Sequence, residues 1–158
     1  MQIHNQASFH KDTRVNSNFD IIKNEFLPIY IGAESVGQKL TNLRLKNNIT
    51  RKHLANEIEI SQYRLKQLEE NKLKNFYYYA HIYCRHFNIN PISYLEFNNM
   101  KEDTTLNKIE KVKALYGYRT HKDIAKDLKI NYRTFTRYLK NDTHKLDALL
   151  NLKLKEQQ

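Results

Sequence analysis

The sequence predicts an all-helical fold, in which a five-helix domain is followed by a smaller helical domain. Three observations favour this class. The 158 residues include only three Gly and two Pro, which leaves few positions that favour turns. Apolar residues recur at intervals of three and four, which is the spacing of helices that bury one face. A pattern of helix caps and apolar positions also occurs twice, with a constant offset of 70 residues.

The repeated pattern is typical of two short helices joined by a tight turn. Each copy contains capping residues, a small residue where the two helices would cross, and apolar residues that would face a core. The matched pairs are Thr50 and Thr120, Leu54 and Ile124, Ala55 and Ala125, Ile60 and Ile130, Ser61 and Asn131, Leu65 and Phe135, and Leu68 and Tyr138. This is the helix-turn-helix signature, so the sequence predicts two such units in one chain.

The charge balance indicates an anionic partner. Lys and Arg number 27 against 17 acidic residues, a formal net charge of +10. Residues 35–100 carry 10 basic and 5 acidic side chains, residues 101–158 carry 14 and 8, and residues 1–34 carry 3 and 4. The positive charge therefore lies in the two repeated units. Charge alone does not choose among nucleic acid, a membrane surface and an acidic protein.

Several other classes of protein are disfavoured. Cys84 is the single cysteine, and His81 and His86 lack the spacing of metal ligands, so no metal site is expected. No apolar run reaches the roughly 18 residues of a membrane span, and the N-terminus lacks the apolar core of a signal peptide. Neither a Gly-rich phosphate loop nor a catalytic triad or carboxylate pair is found. We therefore expect a cytoplasmic protein that has no cofactor, no enzymatic activity and no membrane partner.

Residues 1–34 are predicted to form a partly disordered N-terminal extension. Residues 1–18 are rich in Asn, Gln, Ser and His, whereas residues 19–34 contain several apolar side chains that could pack on the first domain. An arm that enters the minor groove of DNA is a weaker alternative, because only Lys11 and Arg14 would be available to it.

The first domain is predicted to span residues 35–97 and to contain five helices. Apolar residues at helical spacing indicate a first helix over residues 36–47. Thr50 and Ser61 are residues of the type that caps helices, so they should precede the second and third helices of the domain.

The end of the third helix and the closing helices are also predicted. Asn71 is expected to end the third helix in a left-handed conformation, which Asn adopts in place of Gly. A fourth helix over residues 76–87 should direct an aromatic face into the core. The residues of that face are Phe76, Tyr79, Tyr83 and Phe87. A fifth helix over residues 91–97 should start at Pro91, which suits a first helical turn.

Residues 36–97 resemble the five-helix DNA-binding domain of the Cro/C1 family, the XRE-type domain of phage repressors. The matching segments are LTNLR (40–44), LA (54–55), SQ (61–62), LEENK (68–72) and NINPISYL (88–95). The chain departs from the family pattern at three positions: Arg51 stands where the family usually has Gln, and Glu59 and Asn71 stand where it prefers Gly.

This resemblance implies that the exposed face of the third helix enters the major groove of DNA. The candidate contacts in the first unit are Arg51, Ser61, Gln62, Tyr63, Arg64, Lys66, Gln67 and Lys72. Their chemistry permits it, because Gln can pair with adenine N6 and N7, and Arg with guanine O6 and N7. Tyr63 offers a contact to a thymine methyl group or to a phosphate, and Arg51 could meet a phosphate.

The second domain is predicted over residues 105–158, after a polar linker over residues 98–104. Its first helix, over residues 106–115, is indicated by Leu106, Ile109, Val112 and Leu115. Thr120 and Asn131 should cap the two helices of the motif. A last helix over residues 144–154 is expected to close the core with Leu146, Leu149, Leu150 and Leu152.

The second unit offers a more basic face than the first. Its candidate DNA contacts are Thr120, Tyr132, Arg133, Thr134, Arg137 and Lys140. No acidic residue lies between Lys129 and Lys140. Arg133 and Arg137 are one helical turn apart, so both could contact one wall of a groove.

The leading hypothesis is a sequence-specific double-stranded DNA-binding protein, a transcriptional regulator of the repressor type with two recognition helices. The alternative is a phage- or plasmid-encoded accessory or inhibitor protein, of the partition, transfer or anti-CRISPR type, whose helix-turn-helix domain also binds DNA. In that case a protein is a second partner. The second unit could instead serve to form a homodimer.

Overall fold

The computed structural model describes residues 35–157. These residues form nine α-helices and one short 3₁₀ helix, and no strand occurs among them. The prediction of an all-helical fold is therefore confirmed. The predicted N-terminal extension over residues 1–34 lies outside the described residues.

The helices follow one another with short connections. In the first unit they are α1 (Val36–Lys46), α2 (Arg51–Glu57), α3 (Gln62–Glu69), α4 (Phe76–His86), α5 (Pro91–Tyr94) and the 3₁₀ helix (Phe97–Asn99). In the second unit they are α6 (Thr105–Tyr116), α7 (His121–Asp127), α8 (Tyr132–Asn141) and α9 (Thr143–Lys155).

The first unit has the expected five helices and the expected core. Leu54, Leu65 and Leu68 are fully buried, and they hold α2 and α3 together. On α4, Tyr79 and Tyr83 are buried, while Phe76 and Phe87 are partly buried and packed against the same core. The fifth helix is shorter than predicted, because Glu96 takes a left-handed conformation with φ 57° and the chain then continues as the 3₁₀ helix.

Asn71 ties the end of α3 to the start of α1. Its φ of 57° confirms the predicted left-handed conformation. Its side chain accepts a hydrogen bond from the Gly37 backbone N–H at 2.8 Å and donates one to Ser35 Oγ at 2.9 Å. A Cβ atom on Gly37 would lie 2.3 Å from the Glu69 backbone oxygen, so only Gly permits this close approach.

A buried ion cluster joins four helices of the first unit, and the apolar pattern of the sequence does not reveal it. The Glu69 carboxylate accepts hydrogen bonds from Arg44 of α1, from Arg51 of α2 and from the Tyr83 hydroxyl of α4. Burial raises the pKa of Tyr83 well above its ordinary value, and the neighbouring Glu69 charge raises it further. Because a buried carboxylate is tolerated only with such partners, the cluster fixes how the four helices pack.

The core of the second unit differs from the prediction at Leu106 and Leu152, which are exposed, and at Leu149, which is only half-buried. Leu106 is 62% exposed and Leu152 is 63% exposed, so neither belongs to the buried face. The buried residues of α9 are Leu146, Leu150 and Leu154, which repeat every four positions. Leu152 is two positions from that stripe, about 200° around the helix, and therefore faces solvent. Leu106 lies in the first turn of α6, two residues before Lys108, whose ion pair with Asp147 joins α6 to α9.

The two units share one continuous core. The Nε2 atom of the His81 ring on α4 lies 2.6 Å from the Ala114 carbonyl oxygen of α6. Lys111 of α6 donates to the Asn98 carbonyl at 2.7 Å and to the Glu102 carboxylate at 2.6 Å. Residues 98–104, expected as a linker, thus contribute contacts that hold the units against each other.

Candidate nucleic-acid interface

The two predicted motifs have the same backbone geometry. Helices α2 and α7 begin at positions 51 and 121, and helices α3 and α8 begin at positions 62 and 132, so both starts keep the offset of 70. Ala55 and Ala125 are both 1% exposed at the crossing of the two helices. Small side chains at these positions allow the helices to approach closely.

The turns of the two motifs also share a left-handed residue and the backbone hydrogen bond that follows it. Glu59 and Lys129 both have φ 55°. Immediately after them, the Ile60 N–H donates to the Ala55 carbonyl at 2.9 Å, and the Ile130 N–H donates to the Ala125 carbonyl at 3.0 Å. Both turns therefore contain a left-handed residue that is not Gly, whereas the Cro/C1 family prefers Gly at the position of Glu59.

Side-chain caps start both candidate recognition helices. Ser61 Oγ accepts from the Arg64 N–H at 3.2 Å, and Asn131 Oδ1 accepts from the Arg133 N–H at 2.7 Å. Helix α7 begins with a capping box formed by Thr120 and Asp123. The Thr120 hydroxyl donates to the Asp123 carboxylate at 3.0 Å, and this carboxylate also accepts from the Thr120 N–H at 2.7 Å.

Helix α3 presents most of its candidate contacts to solvent. Gln62, Tyr63, Arg64 and Lys66 are exposed, Tyr63 at 70%, while Gln67 is half-buried. Near its end, Lys66 and Lys72 lie 3.8 Å and 2.9 Å from the Glu70 carboxylate. The hydrogen bond from Lys72 lowers the pKa of Glu70, so this acid stays charged and offsets part of the positive field at this end.

Arg51 lies partly inside the protein. Its Nε donates to Glu69 Oε2 at 2.7 Å, and its side chain is 30% exposed. The side chain therefore belongs to the buried ion cluster. This placement was missed by sequence reasoning, because the partner carboxylate is 18 residues away.

Helix α8 presents an uncompensated cationic face. Arg133, Arg137 and Lys140 are exposed, and within residues 35–157 none of them forms an ion pair. Together with Asn131, Thr134 and Thr136 they line a shallow groove of about 450 Å³. Arg137 also lies over the Tyr138 ring, 5.4 Å from its centroid, a distance that allows a cation–π contact.

The second motif includes a further cation that was not predicted. Lys122 of α7 places its Nζ 5.6 Å from the centroid of the Tyr132 ring, which is 42% exposed. Lys122 and Lys126 lie four positions apart on α7, and Lys129 follows in the turn. The helical spacing of the basic residues on α7 was a signal that could have found Lys122 and Lys126.

Other kinds of site find no support in the part of the chain that the structure describes. Across residues 35–157 no group of three or more His, Cys, Asp or Glu side chains could hold a metal ion. None of the described helices is both long and apolar enough to cross a bilayer.

The comparisons with known proteins found no match: no family model, no curated protein and no solved structure matches this chain. The repeated helix pairs and the side chains that they expose therefore carry the functional argument.

Proposed function

We propose that the protein binds double-stranded DNA in a sequence-specific manner through α3 and α8, and that it acts in the cytoplasm as a transcriptional regulator. The observation that carries this proposal is the repeated helix pair. Each copy has the same helix starts, the same left-handed turn residue and the same hydrogen bond after the turn. In each copy the second helix is capped and exposes hydrogen-bonding and cationic side chains.

The resemblance of residues 36–97 to the Cro/C1 domain supports the assignment of α3 as a recognition helix. Gln62 and Arg64 are exposed in its first turn, where the recognition helix of a helix-turn-helix reads base edges. Their amide and guanidinium groups match the acceptor and donor patterns of adenine and guanine in the major groove.

The uncompensated charge of α8 supports the second assignment. Because Arg133, Arg137 and Lys140 form no ion pair within the described residues, they need break no ion pair to contact phosphate or base. With both helices on one chain, the expected site is asymmetric or a direct repeat of roughly 15 to 20 base pairs, since half-sites fall about one helical turn apart. A homodimer would give a longer palindromic site.

Selection of binding sites from random duplex DNA, with the full-length chain at about 0.15 M salt, tests the proposal. An enriched motif with two parts supports a regulator that reads DNA through both helices. Enrichment of a single half-site would remove α8 from the readers and favour its use in dimerisation. Salt-sensitive binding without any enrichment would contradict sequence-specific regulation and favour the accessory or inhibitor role.

A further inference from the structure

A broad cleft lies between the two units, outside both recognition helices. Its volume is about 1090 Å³. One wall comes from the loop that follows α3 and from the start of α4, and includes Lys74 and Tyr78. The other wall comes from the loop before α7, from α7 itself and from the turn after it, and includes Arg119, Lys126 and Lys129. Both walls are thus formed by segments that belong to the two helix-turn-helix motifs or lie next to them.

The cleft carries four exposed cations without ion-pair partners among the described residues: Lys74, Arg119, Lys126 and Lys129. Asp123 and Asp127 also line it, and other groups of the second unit hold both carboxylates in place. Asp123 accepts hydrogen bonds from the backbone N–H groups of Thr120 and Arg119, at 2.7 Å and 3.1 Å. Asp127 pairs with Lys153 at 2.8 Å, and the hydrogen bonds from Lys153 and Tyr118 outweigh burial and keep its pKa low.

An aromatic side chain of the first unit contacts one cation of the cleft across the boundary of the units. The Arg119 guanidinium of the second unit lies over the Tyr78 ring of the first, 5.7 Å from its centroid. Beside it, Tyr118 stacks on Tyr116 with ring centroids 5.3 Å apart and an interplanar angle of 7°. The contact between Arg119 and Tyr78 joins the two walls, and the Tyr116–Tyr118 stack supports the wall of the second unit.

We propose that this cleft binds the phosphodiester backbone of the duplex, in the stretch that passes from the α3 half-site to the α8 half-site. This inference rests on the proposed DNA-binding function. Three lysines and one arginine line an open cleft, and this arrangement favours an extended polyanion, because each cation can contact a separate phosphate. The cleft would then set the register of the two half-sites without reading bases.

Charge-removal variants at the cleft test the proposal. Lys126→Gln with Lys129→Gln removes two exposed cations from the cleft, and Arg85→Gln with Lys101→Gln removes two exposed cations that do not line it. Affinity for the duplex selected by the wild-type chain is measured between about 0.05 and 0.3 M salt. Each phosphate that is no longer neutralised should make the slope of log affinity against log salt shallower by about 0.9. The selected motif should remain unchanged.

The outcomes separate this inference from the proposed function. A shallower slope in the cleft variant alone, together with loss of ethylation interference at phosphates between the half-sites, supports phosphate binding in the cleft. A wild-type slope in the cleft variant, or an equal change of slope in the matched control, contradicts phosphate binding in the cleft and leaves the proposed DNA binding intact. A wild-type chain that binds no duplex at all overturns both the proposed function and the cleft.

Discussion

Arg44 and Glu69 form a two-point ion pair in the interior of the first unit, with 1% and 2% of their side chains exposed. The Arg44 Nε donates to Glu69 Oε1 at 2.7 Å, and a second guanidinium nitrogen donates to Oε2 at 3.2 Å. The pair connects α1 to the end of the candidate recognition helix α3. The position of α3 therefore depends on a buried charge pair as well as on apolar packing.

Removing the charge of Glu69 should strongly destabilise the protein. Glu69→Gln removes the charge of the buried carboxylate that pairs with Arg44 and Arg51, and removing one partner of a buried ion pair costs about 3 to 5 kcal/mol. Arg51→Gln should cost less, because Arg51 is 30% exposed and Arg44 still pairs with Glu69. Urea unfolding followed by circular dichroism measures both. Equal losses of stability in the two variants would show that the buried pair has no special role.

The two structural glycines should differ in their tolerance of Ala. Gly37→Ala places a Cβ 2.3 Å from a backbone oxygen, which cannot move without shifting α3, so we expect a loss at the upper end of the 1 to 3 kcal/mol typical of overpacking. Gly117→Ala meets the His81 ring at 2.8 Å and adds the strain of φ +67°, roughly 1 kcal/mol or more. Thermal unfolding compares them, and a Gly37→Ala protein as stable as wild type would contradict the close approach.

Two leucines of α9 provide a matched test of its buried face. Leu150→Ala removes a fully buried side chain and should cost about 2 to 5 kcal/mol. Leu152→Ala removes one that is 63% exposed and should change stability by less than about 0.5 kcal/mol. Chemical denaturation of the two variants measures the difference. A large loss of stability at Leu152 would mean that another surface covers this side of α9.

Stability should fall as the pH decreases through the range in which histidine titrates. Burial lowers the pKa of His81 below its ordinary value of 6.5, and the hydrogen bond to the Ala114 carbonyl opposes this only in part. The unfolded chain therefore takes up a proton before the folded one does, so the contribution of His81 is present above about pH 6.5 and is lost below it. His121 acts in the same direction, because burial also lowers its pKa.

Replacing His81 should flatten this pH dependence. His81→Gln keeps a donor for the Ala114 carbonyl but cannot titrate, so its unfolding free energy should change less between about pH 7 and pH 5 than that of the wild type. Denaturant midpoints at several pH values measure the effect. A variant with the full wild-type pH dependence would assign the effect to other groups.

If the protein binds DNA as proposed, the candidate recognition helices α3 and α8 should make separable contributions to binding. Arg64→Ala with Gln67→Ala should weaken binding by about 1 to 3 kcal/mol for each base that is no longer bound by a side chain, and should relax the selected motif in one half only. Arg133→Ala with Arg137→Ala should do the same in the other half. Titration of the selected duplex, with Arg85→Ala and Lys101→Ala as the surface control, measures both. Unchanged affinity in the second variant would exclude α8 as a reader.

Local sequence patterns were sufficient for most of the helices. The starts of α2, α3, α7 and α8 could be predicted because Thr50, Ser61, Thr120 and Asn131 act on backbone groups within a few residues of themselves. The left-handed end of α3 could be predicted for the same reason, since Asn71 favours that conformation through its own side chain. The candidate reading faces of α3 and α8 followed from helical spacing around Leu65 and Phe135, both fully buried.

Sequence patterns were enough to predict an all-helical fold, the repeated helix pair and the exposed positions of its second helix, because these depend on short-range caps and periodicity. The packing of the helices in space settled which polar groups meet at long range. It brought Arg44 and Arg51 to Glu69, it exposed Leu106 and Leu152, and it placed Lys74 and Arg119 on facing walls of one cleft. Such contacts depend on how the two units pack, and no local spacing specifies that arrangement.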